Sequence, residues 1–163
     1  VSQYESFFAL GGIIGDVFTD RGSSFQAHAI KINSFDLVNK YTKILLTNNK
    51  IQKATHNIMA YRFLSKDVIA KEESKEGKIK NKEKNSNLKN LGNNISEGFD
   101  DDGEAGAGVR LLGILQKMKI YNVFVIVSRW FGGTLLGNDR FKHINDTAKN
   151  LLLDYKSKFD YES

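Results

Sequence analysis

NVFVIVSRWFGGTLLGNDRFKHIN, residues 122–145, sets five consecutive apolar residues against an arginine and a tryptophan. The run Val123, Phe124, Val125, Ile126 and Val127 has no alternation, so it predicts a strand covered on both faces. Arg129 and Trp130 end it, and Gly132-Gly133 break the chain. Asn138 is placed to cap a last helix. In that helix Phe141, Ile144, Ala148, Leu151, Leu152 and Tyr155 form an inner stripe, with Lys142, Asp146 and Lys149 outside.

Working outward, residues 107–119 put Leu111, Leu112, Leu115 and Met118 on one helical face. Residues 25–32 alternate as a half-buried strand does. Ser34 is a helix N-cap, followed by Leu37, Tyr41, Ile44 and Leu45 on one face. Asn48-Asn49 closes that helix, and residues 57–64 read as a second strand. Residues 66–94 then turn polar, with 8 Lys against 5 acidic residues up to Asn90. Such a stretch is a solvated, flexible insertion, assigned here to 66–98, or else a basic docking arm. Strands interleaved with helices predict an α+β fold, a two-layer sandwich of helices on a small sheet. The domain is assigned to 20–155, with an N-terminal extension over 1–19 and a frayed tail over 156–163.

The 163 residues suffice for one domain, and 40% hydrophobic content suffices for its core. A net charge of +5 allows acidic partners without a basic block that would name nucleic acid. With no cysteine there is neither a disulfide framework nor a thiolate metal site. No apolar run nears the roughly 20 residues of a membrane span, and the first residues make a poor secretory signal, so a cytoplasmic location is expected.

A helix over 107–119 packed antiparallel to the strand at 123–127 brings three charged pieces to one end of the sheet. These are Asp101, Asp102 and Glu104 with Arg110 behind them, the pair Arg129-Trp130, and Arg140 with Lys142 and His143. Carboxyl ends of strands and helix N-termini favour ligands. The cluster is either an ion-paired clamp that pins loops, or a partner-binding surface. Catalysis is not expected, since no nucleophile is placed beside a base. The glycines of residues 132–139 have phosphate-loop spacing but carry Asn138 and Asp139 where Lys and Ser/Thr belong. The DDDGE run lacks the first and twelfth calcium ligands of its loop class. His28, His56 and His143 have no metal-ligand spacing, and no cofactor is expected.

The blocks DRGSSFQAH (residues 20–28), THNIMAYR (55–62), DDDGEAGAG (100–108) and residues 122–145, in this order, resemble the IMPACT family, whose bacterial relatives include YigZ. The resemblance spans roughly 20–153 apart from the insertion. It implies the second-domain fold of a small-subunit ribosomal protein. It further implies a non-enzymatic cytoplasmic regulator of translation, acting in general amino-acid control under amino-acid starvation. The implied partner is the ribosome-associated activator of the initiation-factor kinase, with monomeric actin a partner among fungal members. A nucleic-acid or ribosome-binding module is the alternative. The RWD domain of longer eukaryotic members and the C-terminal domain of bacterial ones are not in these residues, and Asn138 stands where the family has proline. The chain is identified on this basis with a short single-domain eukaryotic member or a fragment of a longer one.

Overall fold

The computed structural model describes residues 2–65 and 94–163. The polar segment at 66–93 lies outside them. The chain runs α1 (Gln3–Ala9), β1 (Ile13–Ile14), β2 (Phe18–Asp20), β3 (Ser23–Lys31), α2 (Phe35–Leu45), α3 (Asn49–Gln52), β4 (His56–Leu64) and β5 (Ile95–Asp100). It continues with α4 (Ala107–Met118), β6 (Ile120–Tyr121), β7 (Val123–Trp130), α5 (Asp139–Asp154), a 3-10 turn (Lys156–Lys158) and β8 (Asp160–Tyr161).

The α+β class holds. The main sheet has the order β1-β3-β7-β4-β5, with β2 also on β3, and every pairing is antiparallel. β7 is central, which is why its apolar run does not alternate. Its side chains still divide by the strand period of two. Val123, Val125 and Val127 meet Leu111 and Leu115 of α4 and Ile144, Ala148 and Leu151 of α5. Phe124 and Ile126 meet Phe7 of α1 and Val38, Tyr41 and Leu45 of α2 on the opposite face. All five strand residues are fully buried.

The local signals for α2 operate as expected. Ser34 Oγ accepts from the Leu37 amide, and Val38, Tyr41, Ile44 and Leu45 are buried. Asn48 does more than end that helix, because its side chain caps α3. Asn138 sits at the start of α5 but gives it no side-chain cap bond; its φ of −69° and ψ of −17° are helical rather than extended.

Three boundaries differ from expectation. The region assigned to a flexible insertion at 66–98 overlaps β5, whose Ile95–Asp100 pair with β4. Residues 3–18, assigned to an extension, supply α1, β1 and the fully buried Phe7. A capping box at Ser2 and Glu5 starts α1. The tail, expected to fray, pairs β8 with β6 and buries Phe159. Buried Arg62 ties it to β5, with Nη1 donating to Glu162 of the tail at 3.1 Å and Nε to Glu97 of β5 at 2.9 Å. No helix among the described residues is long and apolar enough to cross a membrane.

Candidate functional site

The charged end of the helix-covered face is built around one carboxylate. Glu104 lies in the turn between β5 and α4 and is 6% exposed. Its Oε2 accepts from Arg129 Nη1 at 2.5 Å, and its Oε1 from Arg140 Nε at 2.9 Å. His56 Nε2 lies 3.7 Å from Oε2. One side chain thus joins β7, α5 and the start of β4. Burial alone would push the Glu104 carboxyl up. The hydrogen bonds from Arg140 and Arg129, with the charges of His56 and Arg129, more than offset this and hold it below the ordinary carboxylate value.

Arg129 is 4% exposed. Its guanidinium lies 5.6 Å from the Phe25 ring and 5.7 Å from the Phe131 ring, and its Nε has no hydrogen-bond partner among the described residues. His56 pairs with Arg129 in the β4–β7 register and shares its face of the sheet. His56 Nδ1 lies 2.9 Å from the Asp102 carbonyl oxygen. Thr55, His56, Glu104, Arg129 and Arg140 line a cleft of about 380 Å³ with Phe131, Leu135 and Leu136. Leu135 is 83% exposed and Phe131 45%. Gly132 carries this loop past the β2–β3 turn so closely that a Cβ there would come 2.0 Å from the Gly22 carbonyl carbon.

The acidic run does not act as one group. Asp101 accepts from the Gly106 and Gly108 amides at 3.2 and 2.6 Å, so it caps α4. Asp102, at a φ of 45°, accepts from the Asn57 amide at 2.7 Å. Only Glu104 faces the arginines. Among the described residues no group of three or more His, Cys, Asp or Glu is arranged to hold a metal ion.

The structure separates Trp130 from the cluster. Neighbouring residues of a strand point to opposite faces. With Arg129 against Glu104, Trp130 faces α3, where its Nε1 donates to the Lys50 carbonyl at 2.9 Å and Lys50 Nζ lies 5.2 Å from its ring centroid. Trp130→Phe is therefore expected to cost about 1 kcal/mol of stability through the lost hydrogen bond. It should leave Glu104-dependent properties unchanged, as denaturant unfolding of both forms will show.

Lys142 and His143 also lie apart from Glu104. Lys142 pairs with Asp146 across 3.5 Å on the α5 surface. His143 Nε2 is 2.7 Å from Asp20, which also accepts from Arg21; Arg21 in turn reaches Asp139 at 2.7 Å. The Arg21 and His143 hydrogen bonds hold the Asp20 carboxyl down at about 2. Arg110 shares the Phe141 ring with Arg140 instead. Both guanidinium carbons are 4.2 Å from the Phe141 ring centroid.

Sequence reasoning missed His56, Phe131, Leu135 and Phe141. The place of His56 two residues before the inward-facing Ile58 was a usable signal, since both share one strand face.

Fold and site together describe an α+β domain whose charged side chains are organised as a junction beneath an exposed apolar loop. The family model of the Impact N-terminal domain matches residues 21–152, and the chain belongs to the IMPACT family. Protein IMPACT of Rattus norvegicus is 41% identical over 140 residues, covering 86% of this chain and 37% of that protein. The Protein IMPACT homolog of Caenorhabditis elegans is 39% identical over 140 residues, with 86% and 46% covered. The chain therefore spans less than half the length of these relatives. Among solved structures, that of the two-domain translational regulator Yih1 superposes with a TM-score of 0.53 at 33% identity, over 91% of this chain and 47% of that one. A crystal structure of a hypothetical protein reaches a TM-score of 0.60 at 16% identity, over 91% of this chain and 62% of that one, a likeness of fold alone.

Proposed function

We propose that the chain is a non-enzymatic binding domain in the control of translation. It acts in the cytoplasm, in general amino-acid control, by engaging the ribosome-associated activator of the initiation-factor kinase. The observation that carries this reading is the Glu104 junction. Ion pairs to two secondary-structure elements fix the base of a loop whose Phe131 and Leu135 face solvent. Apolar side chains held outward on a rigid base suit partner binding. Membership of the IMPACT family and likeness to Yih1, described as a translational regulator, support the same reading.

A reaction centre is less well supported. Ser128 Oγ donates to Asn57 Oδ1 at 2.6 Å within the buried core, and Thr55 Oγ1 accepts from the Phe131 amide. Nucleic-acid binding rests on the net charge of +5, and at this face the Glu104 carboxylate already engages Arg129 and Arg140.

The test is a pull-down from cytosol with the intact chain and with Phe131→Ser/Leu135→Ser, each checked by thermal melt. The intact chain is expected to retain the kinase activator, and the equally stable variant to lose it. Equal retention by both, or retention of ribosomes or actin without the activator, would overturn the proposed partner face.

A further inference from the structure

Arg110 and Arg140 stand in the first turns of α4 and α5, where the helix dipoles disfavour cations. Arg140 is drawn there by its ion pair with buried Glu104, whereas Arg110 has no such pair among the described residues. Both are nevertheless held in place. Arg110 Nη1 donates to the Gly106 carbonyl at 2.8 Å, and Arg140 Nη1 donates to the Gly137 carbonyl at 2.6 Å. Both lie on the Phe141 ring at 4.2 Å. Gly106 makes the space: at its φ of 85°, a Cβ would come 2.6 Å from Arg110 Nη1. Arg140 gives its Nε–H to Glu104, whereas Arg110 forms no ion pair with any carboxylate among the described residues. Each guanidinium has five N–H donors, so both keep donors for a further acceptor.

We propose that Arg110 and Arg140, fixed on Phe141, form an anion site that takes a side-chain carboxylate from an acidic, leucine-bearing segment of the partner protein. This deepens the binding-domain reading above and rests on it. A guanidinium ordered before binding loses less freedom when the carboxylate arrives, which makes the contact stronger than an ordinary surface ion pair. Leu135, 83% exposed, lines the cleft with Arg140 and suits an apolar neighbour of the carboxylate. Asp101 and Asp102 are taken up by backbone amides and Asp139 by Arg21, so these carboxylates do not occupy the two guanidinium groups. A short acidic segment can meet those groups and turn its leucines to Leu135.

The experiment is an NMR titration of the intact chain with labelled arginine side chains. The probes are a synthetic hexapeptide of Glu, Asp and Leu, its neutral Gln, Asn and Leu counterpart, inorganic phosphate, and a single-stranded RNA oligonucleotide. The acidic peptide is expected to shift the Arg110 and Arg140 Nε–H signals together, while the neutral peptide shifts neither. Arg110→Gln should weaken the acidic peptide about tenfold while the chain stays folded, as a thermal melt will show. No saturable shift at Arg110, or equal binding of the neutral peptide, would overturn the site. Phosphate binding as tightly as the peptide would refute the role of the leucines. RNA binding more tightly through Arg110, with steep salt dependence, would replace the protein segment with a nucleic acid. These readouts need no cellular partner. Their success beside a failed pull-down would fault the named partner, and the reverse result would fault the anion site alone.

Discussion

Replacing Glu104 by glutamine is expected to lower the free energy of unfolding by about 3–5 kcal/mol, the usual loss when one member of a buried ion pair is removed. The size follows from what remains. Arg129 is 4% exposed, so its charge cannot turn to water, and its Nε already lacks a partner among the described residues. Arg140 loses its bond to Glu104 as well, and the start of α5 is then tied to β7 by packing alone. Glutamine keeps the shape and can still accept a hydrogen bond, so the effect isolates charge. Urea unfolding of both forms at neutral pH measures it, with an unchanged slope confirming that the transition has not changed character. A second variant, Glu104→Gln with Arg129→Met, removes both charges and should recover much of the loss. A loss below about 1 kcal/mol in the single variant would place the pair among ordinary surface contacts. The clamp would then be no foundation for the Phe131 loop.

That clamp was legible in the sequence only as a meeting of opposite charges. Helix direction and the turn before β7 were enough to bring residues 100–104, 129 and 140 to one end of the sheet. They could not show which carboxylate would be buried, because Asp101 and Asp102 are chemically as suitable as Glu104. The hydrogen bonds decide it: backbone amides of α4 and β4 take the two aspartates and leave Glu104 to the arginines. The separation of Arg129 from Trp130, by contrast, was available from strand geometry. Adjacent strand residues oppose each other, so a shared site for both required a bulge that the pairing with β3 and β4 does not contain.

The two ends of the chain show the other limit. The spacing of Ser2 and Glu5 is a capping-box signal, so a short helix at the start was readable. Nothing in that stretch says where the helix docks, and seven residues of helix have little stability without docking. Phe7 supplies it by entering the core beside Tyr41 and His28. At the far end, β8 has only two residues and no periodic pattern. Its order depends on Arg62, about a hundred residues earlier, and on Asn122, whose side chain bridges Leu64 and Asp160. Long-range polar ties of this kind leave no local signature.

The helix α1 should also make stability depend on pH through His28. This histidine is 1% exposed, hydrogen-bonded to the Tyr4 hydroxyl at 2.8 Å, and surrounded by the rings of Tyr4, Phe7 and Phe8. Burial lowers its pKa from 6.5 to about 4. The unfolded chain therefore binds this proton more readily than the folded one. Stability from neutral His28 is complete above pH 6.5, declines as the pH falls from there toward 4, and is fully lost below 4. The loss amounts to about 3 kcal/mol. Asp20 and Glu104, both held below ordinary carboxylate values, add losses of the same sign at lower pH, so the range from 6.5 to about 4.5 belongs mainly to His28. Denaturant unfolding at pH 7.5 and 4.5 will measure the fall. His28→Phe keeps an aromatic ring among its neighbours and removes the titrating group, so its stability should vary much less over the same interval. An equal fall in the variant would assign the effect to other groups, and α1 would then be held by apolar packing without a contribution from the neutral imidazole.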